Sequence, residues 1–421
     1  MTQATGQWDG DPRKVEAGIA YAIGCSRNDL SETAKVAHQL LTAADDAVKI
    51  QIYLALLPYL EFHARQQQGL APHHAADLSE LFFKHARADF AAFRALSEQR
   101  AGERPTDPQA VMAQMIARFC ANDRPGAQAC LDRLRPGGNN IWEAVTFKPA
   151  HFAALEGMTD AQMVLNLPPV TQIVDATFAA SPVAFLACDY AYFAAFAQPM
   201  LRSLNATDAS AQAHVHIMDA DAAQQDQAAA FCRSLTGPVA LTVESPGLTA
   251  GSAAARCYYH AIRFIRFYGA LRHSAHSLWL MDVDALFRND PRALYAELGA
   301  QDIALRIRPG RVEPWNQFNA CVVGAGISPP SLRYVRLVAA TLADLHQRNL
   351  LRWGVDQLAM YGAFMHLRDN GHAPSVAALG EQALDYEHRD DGILWCNSGT
   401  DKFGGKDPRR DRYRALMARY A

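Results

Sequence analysis

The stretch Ser277-Leu-Trp-Leu-Met-Asp282-Val-Asp284-Ala-Leu-Phe ends an apolar run in two carboxylates with one residue between them. In extended backbone, residues i and i+2 point to the same side. Two hard oxygen donors so placed can hold Mg2+ or Mn2+ and leave coordination positions open for a diphosphate. The same pattern describes a strand-end turn with two solvated aspartates. A second cluster, Phe185-Leu-Ala-Cys188-Asp189-Tyr190-Ala-Tyr192, puts an acid and an aromatic three residues apart after another apolar run. There a ring can stack on a nucleobase and a carboxylate can accept a base N–H. Packing on a helix face is the alternative use of Tyr192.

These residues need elements to carry them. From Ser181 onward, short apolar runs alternate with longer amphipathic stretches. The expected strands are Val183–Cys188, His214–Met218, Ala240–Val243, Ser277–Met281, Ile303–Ile307 and Ala320–Val323. The expected helices are Phe193–Leu204, Ala222–Leu235, Ala253–Leu271, Pro330–Gln347 and Val355–Leu367. Such alternation predicts an α/β domain with a largely parallel sheet. Ligands of such sheets bind beyond the carboxyl ends of the strands, where both clusters fall. Upstream of Leu167-Pro168-Pro169 the pattern is helix after helix. Helices are expected from Asp29-x-x-Glu32, from Asp45-Asp46, over His73–Arg100, and from Thr106–Pro108. The expected organisation is an all-helical domain over 1–165 and an α/β domain over 175–421.

The chain has 421 residues, with 40 Lys and Arg against 43 Asp and Glu, for a net charge of −3. The absence of a basic excess argues against a general nucleic-acid binder or a polybasic membrane-surface protein. Eight cysteines contain no C-x-x-C pair, and several lie in apolar runs, as in a reducing compartment. The first residues lack the basic start and apolar stretch of a signal peptide, and no run is long enough to span a bilayer, so the expected location is cytoplasmic. Phosphate-loop, H-E-x-x-H and G-x-S-x-G patterns are absent.

Four segments follow in order: Asp189-x-x-Tyr192, Asp282-x-Asp284, Phe318-Asn319-Ala-Cys321-Val322 and Trp353-Gly-Val-Asp356-Gln357. Together with Cys396-Asn-Ser-Gly399-Thr-Asp-Lys402 they resemble the nucleotide-sugar glycosyltransferases of the GT-A architecture. The group most resembled contains glycogenin and the bacterial lipopolysaccharide galactosyltransferases, family eight of the sequence classification. The resemblance spans about 181–405.

It implies a GT-A fold, and a glycosyltransferase that uses a UDP-sugar and a divalent metal, Mn2+ or Mg2+. Asp189 and Tyr192 would hold the base. Asp282 and Asp284 would bind the metal or ribose, and Asn319 would lie beside the donor sugar. Asp356 and Gln357 would line the face where the acceptor attacks. Lys402 would bind diphosphate, and Arg263 would contact the donor. The family's late H-x-x-G-x-x-K segment supplies a third metal ligand from its histidine. Here that position is Cys396, a soft ligand less suited to Mg2+ or Mn2+. The acceptor would be a glycan, a protein or a lipid-linked molecule. The competing functions are a sugar-phosphate nucleotidylyltransferase and a non-catalytic scaffold with a degenerate transferase fold.

Overall fold

The computed structural model describes residues 17–18, 36, 40, 87–121, 123–134, 144, 146–179, 182–249, 251–308, 317–397 and 408–421. The expected helix starts at Asp29 and Asp45 lie outside the described residues. The chain divides into two compact units, residues 1–148 with 308–317, and residues 149–307 with 318–421.

In the first unit, α1 (Arg87–Glu103), α2 (Pro108–Cys120) and α3 (Arg124–Leu134) follow one another. Proline opens α2 without loss, because the first N–H groups of a helix have no intrahelical acceptor. Val111, Met115, Ile116, Phe119 and Leu131 are buried. A buried amide organises the exit from α3: Gln128 Oε1 accepts the Phe147 N–H at 2.7 Å.

The second unit begins with two helices, α4 (Pro149–Gly157) and α5 (Asp160–Met163). Then come β1 (Thr171–Val174), β2 (Val183–Asp189), α6 (Tyr190–Tyr192), a π-helical turn at Phe193–Ala197, and α7 (Gln198–Thr207). They are followed by β3 (Gln212–Met218), α8 (Ala222–Ser234), β4 (Val239–Glu244) and α9 (Ala253–Leu271). Next are β5 (Leu278–Met281), β6 (Ala285–Phe287), α10 (Pro291–Ala296), β7 (Ile303–Ile307) and β8 (Phe318–Ala325). The unit closes with α11 (Pro329–Gln347), α12 (Val355–Asp369), β9 (Val376–Ala378), β10 (Leu384–Asp385), β11 (Leu394–Cys396) and α13 (Pro408–Tyr420).

Among the described residues the strands form an eight-stranded sheet, ordered β1-β4-β3-β2-β5-β8-β7-β9, and a three-stranded sheet, β10-β11-β6. β4, β3, β2 and β5 run parallel, whereas β1 and β8 pair antiparallel to their neighbours β4 and β5. The expected α/β class with a mostly parallel sheet, preceded by helices, is the class observed. Strand residues alternate between two helical layers. Leu186, Val215 and Met281 pack with Phe193, Phe196, Met200 and Ala228. Phe185 turns the other way, 5.6 Å from the Phe267 ring of α9. Gly324 is required by this packing, since a Cβ there would lie 2.9 Å from the Trp279 indole.

The order sets where a ligand fits. From β2 the chain steps outward through β3 to β4, then returns to place β5 on the other side of β2. The carboxyl ends of β2 and β5 thus flank a point where the winding reverses, the usual binding crevice of an open α/β sheet.

Candidate active site

A cleft of about 200 Å³ opens at that point. It is lined by Asp189 and Tyr192 after β2, by Asp282, Val283 and Asp284 after β5, by Arg256, Tyr259, His260 and Arg263 of α9, and by Trp353 before α12. Positions 256, 259, 260 and 263 are i, i+3, i+4 and i+7, so α9 presents one continuous face to the cleft.

Asp189 ends β2 and caps the following turn, with Oδ1 accepting the Tyr192 N–H at 2.7 Å. Burial pushes its carboxyl above the usual range; N–H donors from Tyr192 and Ala191 oppose this, and Asp219 adds to it. The Tyr192 ring is half-buried, 5.2 Å from Phe196.

Extended backbone is not what brings Asp282 and Asp284 together. Residues 283 and 284 form a turn between β5 and β6. The Asp282 N–H donates to Cys321 O at 2.7 Å, which ties it to the large sheet. Asp284 is buried, heads β6, and has its carbonyl held by the Tyr413 hydroxyl at 2.8 Å. The turn arises because β6 leaves the large sheet to pair with β11.

Arg263 links the floor. Its guanidinium pairs with Asp282, donates to Asp356 Oδ2 at 3.2 Å and to Ala320 O at 3.1 Å, and its Nε donates to His260 O at 3.1 Å. Burial opposes the Arg263 charge, but the two carboxylates outweigh it and hold the group protonated. Asp356 is fully buried in the first turn of α12. Burial would raise its carboxyl, yet His260, Arg263 and the Gln357 N–H together hold it below the usual range. His260 Nε2 lies 2.5 Å from Asp356 Oδ1, and the His260 ring stacks on Trp353 with centroids 4.5 Å apart and planes at 16°. Gly354, at φ +84°, makes the turn from Trp353 into α12 in a left-handed conformation that suits glycine.

The structure therefore gathers Asp189, Tyr192, Arg263, Asp282 and Asp284 around one cleft, with Asp356 behind Arg263. It does not bring every expected residue there. Asn319 is buried with its amide committed: Nδ2 donates to Tyr386 Oη at 2.8 Å and Oδ1 accepts the Cys321 N–H at 2.8 Å. Gln357 lies beside Asp356 but does not line the cleft, and its buried Oε1 finds no partner among the described residues. Cys396 is buried with Sγ 3.6 Å from Cys321 Sγ, away from the cleft wall. The hydrogen bond that the Cys321 thiol donates to Cys396 Sγ, with burial, pushes the Cys321 thiol well up. Lys402 lies outside the described residues.

Among the described residues no group of three or more His, Cys, Asp or Glu side chains is placed to hold a metal ion. The donor chemistry nonetheless fits a shared ion. Asp282, one oxygen of which pairs with Arg263, and Asp284 would supply hard oxygen ligands, and Mg2+-type ions commonly take one or two carboxylates and complete their shell with phosphate and water.

The sequence assigns no role to Arg256, Tyr259 or His260, and Trp353 stands in a noted segment without one, yet all four line the cleft. The signal was present in α9, where the side chains at 256, 259, 260 and 263 recur at helical spacing among apolar residues.

No family model matches this chain, and no curated protein matches it. Several solved glycosyltransferase structures do resemble it over about half its length. One is the galactosyltransferase LgtC in complex with donor and acceptor sugar analogs, at 16% identity and a TM-score of 0.38, covering 56% of this chain and 95% of that one. Another is the glycosyltransferase GlyE of Streptococcus pneumoniae TIGR4, at 16% identity and 0.36, covering 56% and 62%. A third is mouse xyloside xylosyltransferase 1, at 13% identity and 0.31, covering 51% and 94%. At these scores they record a likeness and bear no further weight. No helix among the described residues is long and apolar enough to cross a membrane.

Proposed function

We propose that the chain transfers a glycosyl group from a nucleoside-diphosphate sugar, a UDP-sugar, to an acceptor hydroxyl. The observation that carries this reading is the convergence of Asp189, Tyr192, Asp282 and Asp284 on one cleft at the winding reversal of the sheet. An aromatic face and a carboxylate after β2 suit a flat base with an N–H. Two carboxylates after β5 suit the metal end of a diphosphate.

In the reaction, the bond from the anomeric carbon to the diphosphate oxygen breaks and its electron pair leaves with the nucleoside diphosphate. The acceptor oxygen bonds to the same carbon and gives up its proton. Charge develops on the sugar as in glycoside hydrolysis. A divalent ion held by Asp282 and Asp284 would supply Lewis-acid stabilisation of the leaving diphosphate. Arg263 acts as a positioning residue: it fixes Asp282 at the cleft wall and Asp356 behind it. Tyr192 and Asp189 orient the base.

The test is calorimetric titration with UDP, with and without Mn2+, followed by measurement of UDP release from a panel of UDP-sugars. Mn2+-dependent UDP binding with release supports transfer. Binding without release over a broad acceptor panel identifies a scaffold, and no UDP binding removes the reading.

A further inference from the structure

The mouth of the cleft carries two groups that the floor does not need. Trp353 is 66% exposed, and it is the aromatic residue among the large exposed hydrophobics of the described residues. Leaving an indole in water forgoes the stabilisation of its burial. The ring is nevertheless held in one orientation. One face lies on His260, which is itself anchored 2.5 Å from the buried Asp356. With that face covered, the exposure belongs to the opposite face and the edge. A flat apolar face fixed beside a polar cleft fits the C–H face of a pyranose ring, whose hydroxyls then turn outward to polar neighbours.

Arg256 lies one helical turn before His260 on the same face of α9, is exposed, and lines the same cleft. Among the described residues it forms no ion pair with a carboxylate. Arg256 is thus a cationic group of the cleft with no carboxylate of its own among those residues, whereas Arg263 is taken up by Asp282 and Asp356. An anionic group entering this cleft is favoured at Arg256.

We infer that Trp353 and Arg256 form a saccharide subsite for an anionic pyranose, its ring on the indole and its carboxylate or phosphate on the Arg256 guanidinium. The subsite deepens the glycosyl-transfer reading and rests on it for one point, that this sugar is the acceptor. Trp353 directly precedes α12, whose first turn carries Asp356, whereas Asp189 and Tyr192 belong to β2 and the turn after it, which are left to the base of the donor. A guanidinium engages a carboxylate or phosphate through two N–H groups at once, which a neutral sugar cannot match.

Saturation-transfer NMR on the full chain tests this with three probes: methyl β-D-glucopyranoside, methyl β-D-glucopyranosiduronic acid and glucose 6-phosphate. Irradiation of aromatic protons is expected to transfer to ring protons of an anionic probe more than to the neutral one. Which anionic probe responds separates a uronate from a sugar phosphate. Trp353→Ala should lose the transfer at least fivefold while Trp353→Phe retains it. Arg256→Gln should bring the anionic probes down to the neutral level. Thermal melts that match the parent protein exclude misfolding as the cause. Transfer undiminished in Trp353→Ala, an anionic preference that survives Arg256→Gln, or no transfer from any probe overturns the inference. Saturating UDP with Mn2+ should leave the transfer in place, and displacement by UDP would give the subsite to the donor and overturn the acceptor assignment. If UDP does not bind at all but the anionic sugar does, the subsite stands and the glycosyl-transfer reading fails alone.

Discussion

Arg263 Nη2 stands 3.2 Å from Asp356 Oδ2, both groups buried, and this contact fastens α9 to α12 beneath the cleft. Two elements nearly a hundred residues apart thus meet through one charge pair. Arg263→Met would leave Asp356 with His260 as its remaining side-chain partner. Removing one member of a buried pair costs about 3–5 kcal/mol, because the other charge stays out of water. The variant should unfold at markedly lower urea concentration; an unchanged midpoint would show that the pair contributes nothing to the fold.

Asp284→Asn preserves shape and removes one charge from the cleft. Transfer from a UDP-sugar is expected to fall by at least ~100-fold, the scale of losing one charge stabiliser in a site. The comparison is turnover with Mn2+, with EDTA, and in the variant. Full turnover in EDTA would dismiss the metal.

Tyr192 has its backbone fixed by Asp189 and its ring at the cleft. Stacking of a base on a protein ring is worth ~1–3 kcal/mol, so Tyr192→Ala should weaken UDP binding roughly 5- to 150-fold. Tyr192→Phe should bind nearly as well as the parent. A lower melting temperature in Tyr192→Ala with unchanged UDP affinity would assign the ring to packing against Phe196.

Cys396 packs its thiol against Cys321, so an imidazole at 396 overfills a buried position. Cys396→His should lose ~1–3 kcal/mol of stability and leave Mn2+ affinity unchanged. Tighter Mn2+ binding in a titration of the variant would instead reinstate position 396 as a ligand.

His214 contributes a pH dependence of stability. Burial, with some help from His216, lowers its pKa to about 4. In the unfolded chain an imidazole titrates near about 6.5. Between those values the unfolded state binds the extra proton, so stability rises with pH. His214 stabilises fully above about pH 6.5 and loses that contribution as pH falls toward 4, by at most about 3 kcal/mol. His214→Gln should flatten the stability curve across that window, as followed by urea unfolding at stepped pH. A slope identical to the parent's would locate the titrating group elsewhere.

The legible parts of the fold were those with local signals. α9 runs from Ala253 to Leu271 as its periodicity predicts, and β7 from Ile303 to Ile307. The β2 and β5 strand ends placed Asp189 and Asp282 because a buried parallel strand reads as an apolar run that stops. The small sheet gave no such signal. Its strands are two or three residues long, and they exist only because Leu384 meets Leu394 and Ala285 meets Cys396, the latter across a long stretch of chain. The turn at 283–284 follows from that sheet, so the extended reading of the Asp282–Asp284 spacing failed for the same reason. Asn319 was expected near the donor, and its side chain is taken up by Tyr386 and Cys321, partners that no spacing in the sequence announces. Trp353 stood inside a motif already noted, but its use depends on a stacking partner 93 residues earlier.

Asp282 and Asp284 are two residues apart in the chain but belong to different hydrogen-bonded sheets. Asp282 is fixed through Cys321 in the large one. Asp284 is fixed at the edge of the small one, where β6 pairs with β11 and Tyr413 holds its carbonyl. The separation of these two carboxylates is therefore set by how two sheets close, and α13 sets part of that closure through Tyr413 packed on Leu286 and Trp395. Under the proposed metal-dependent transfer, ion preference would then be open to retuning from a helix more than 120 residues downstream, by substitutions that leave both carboxylates in place.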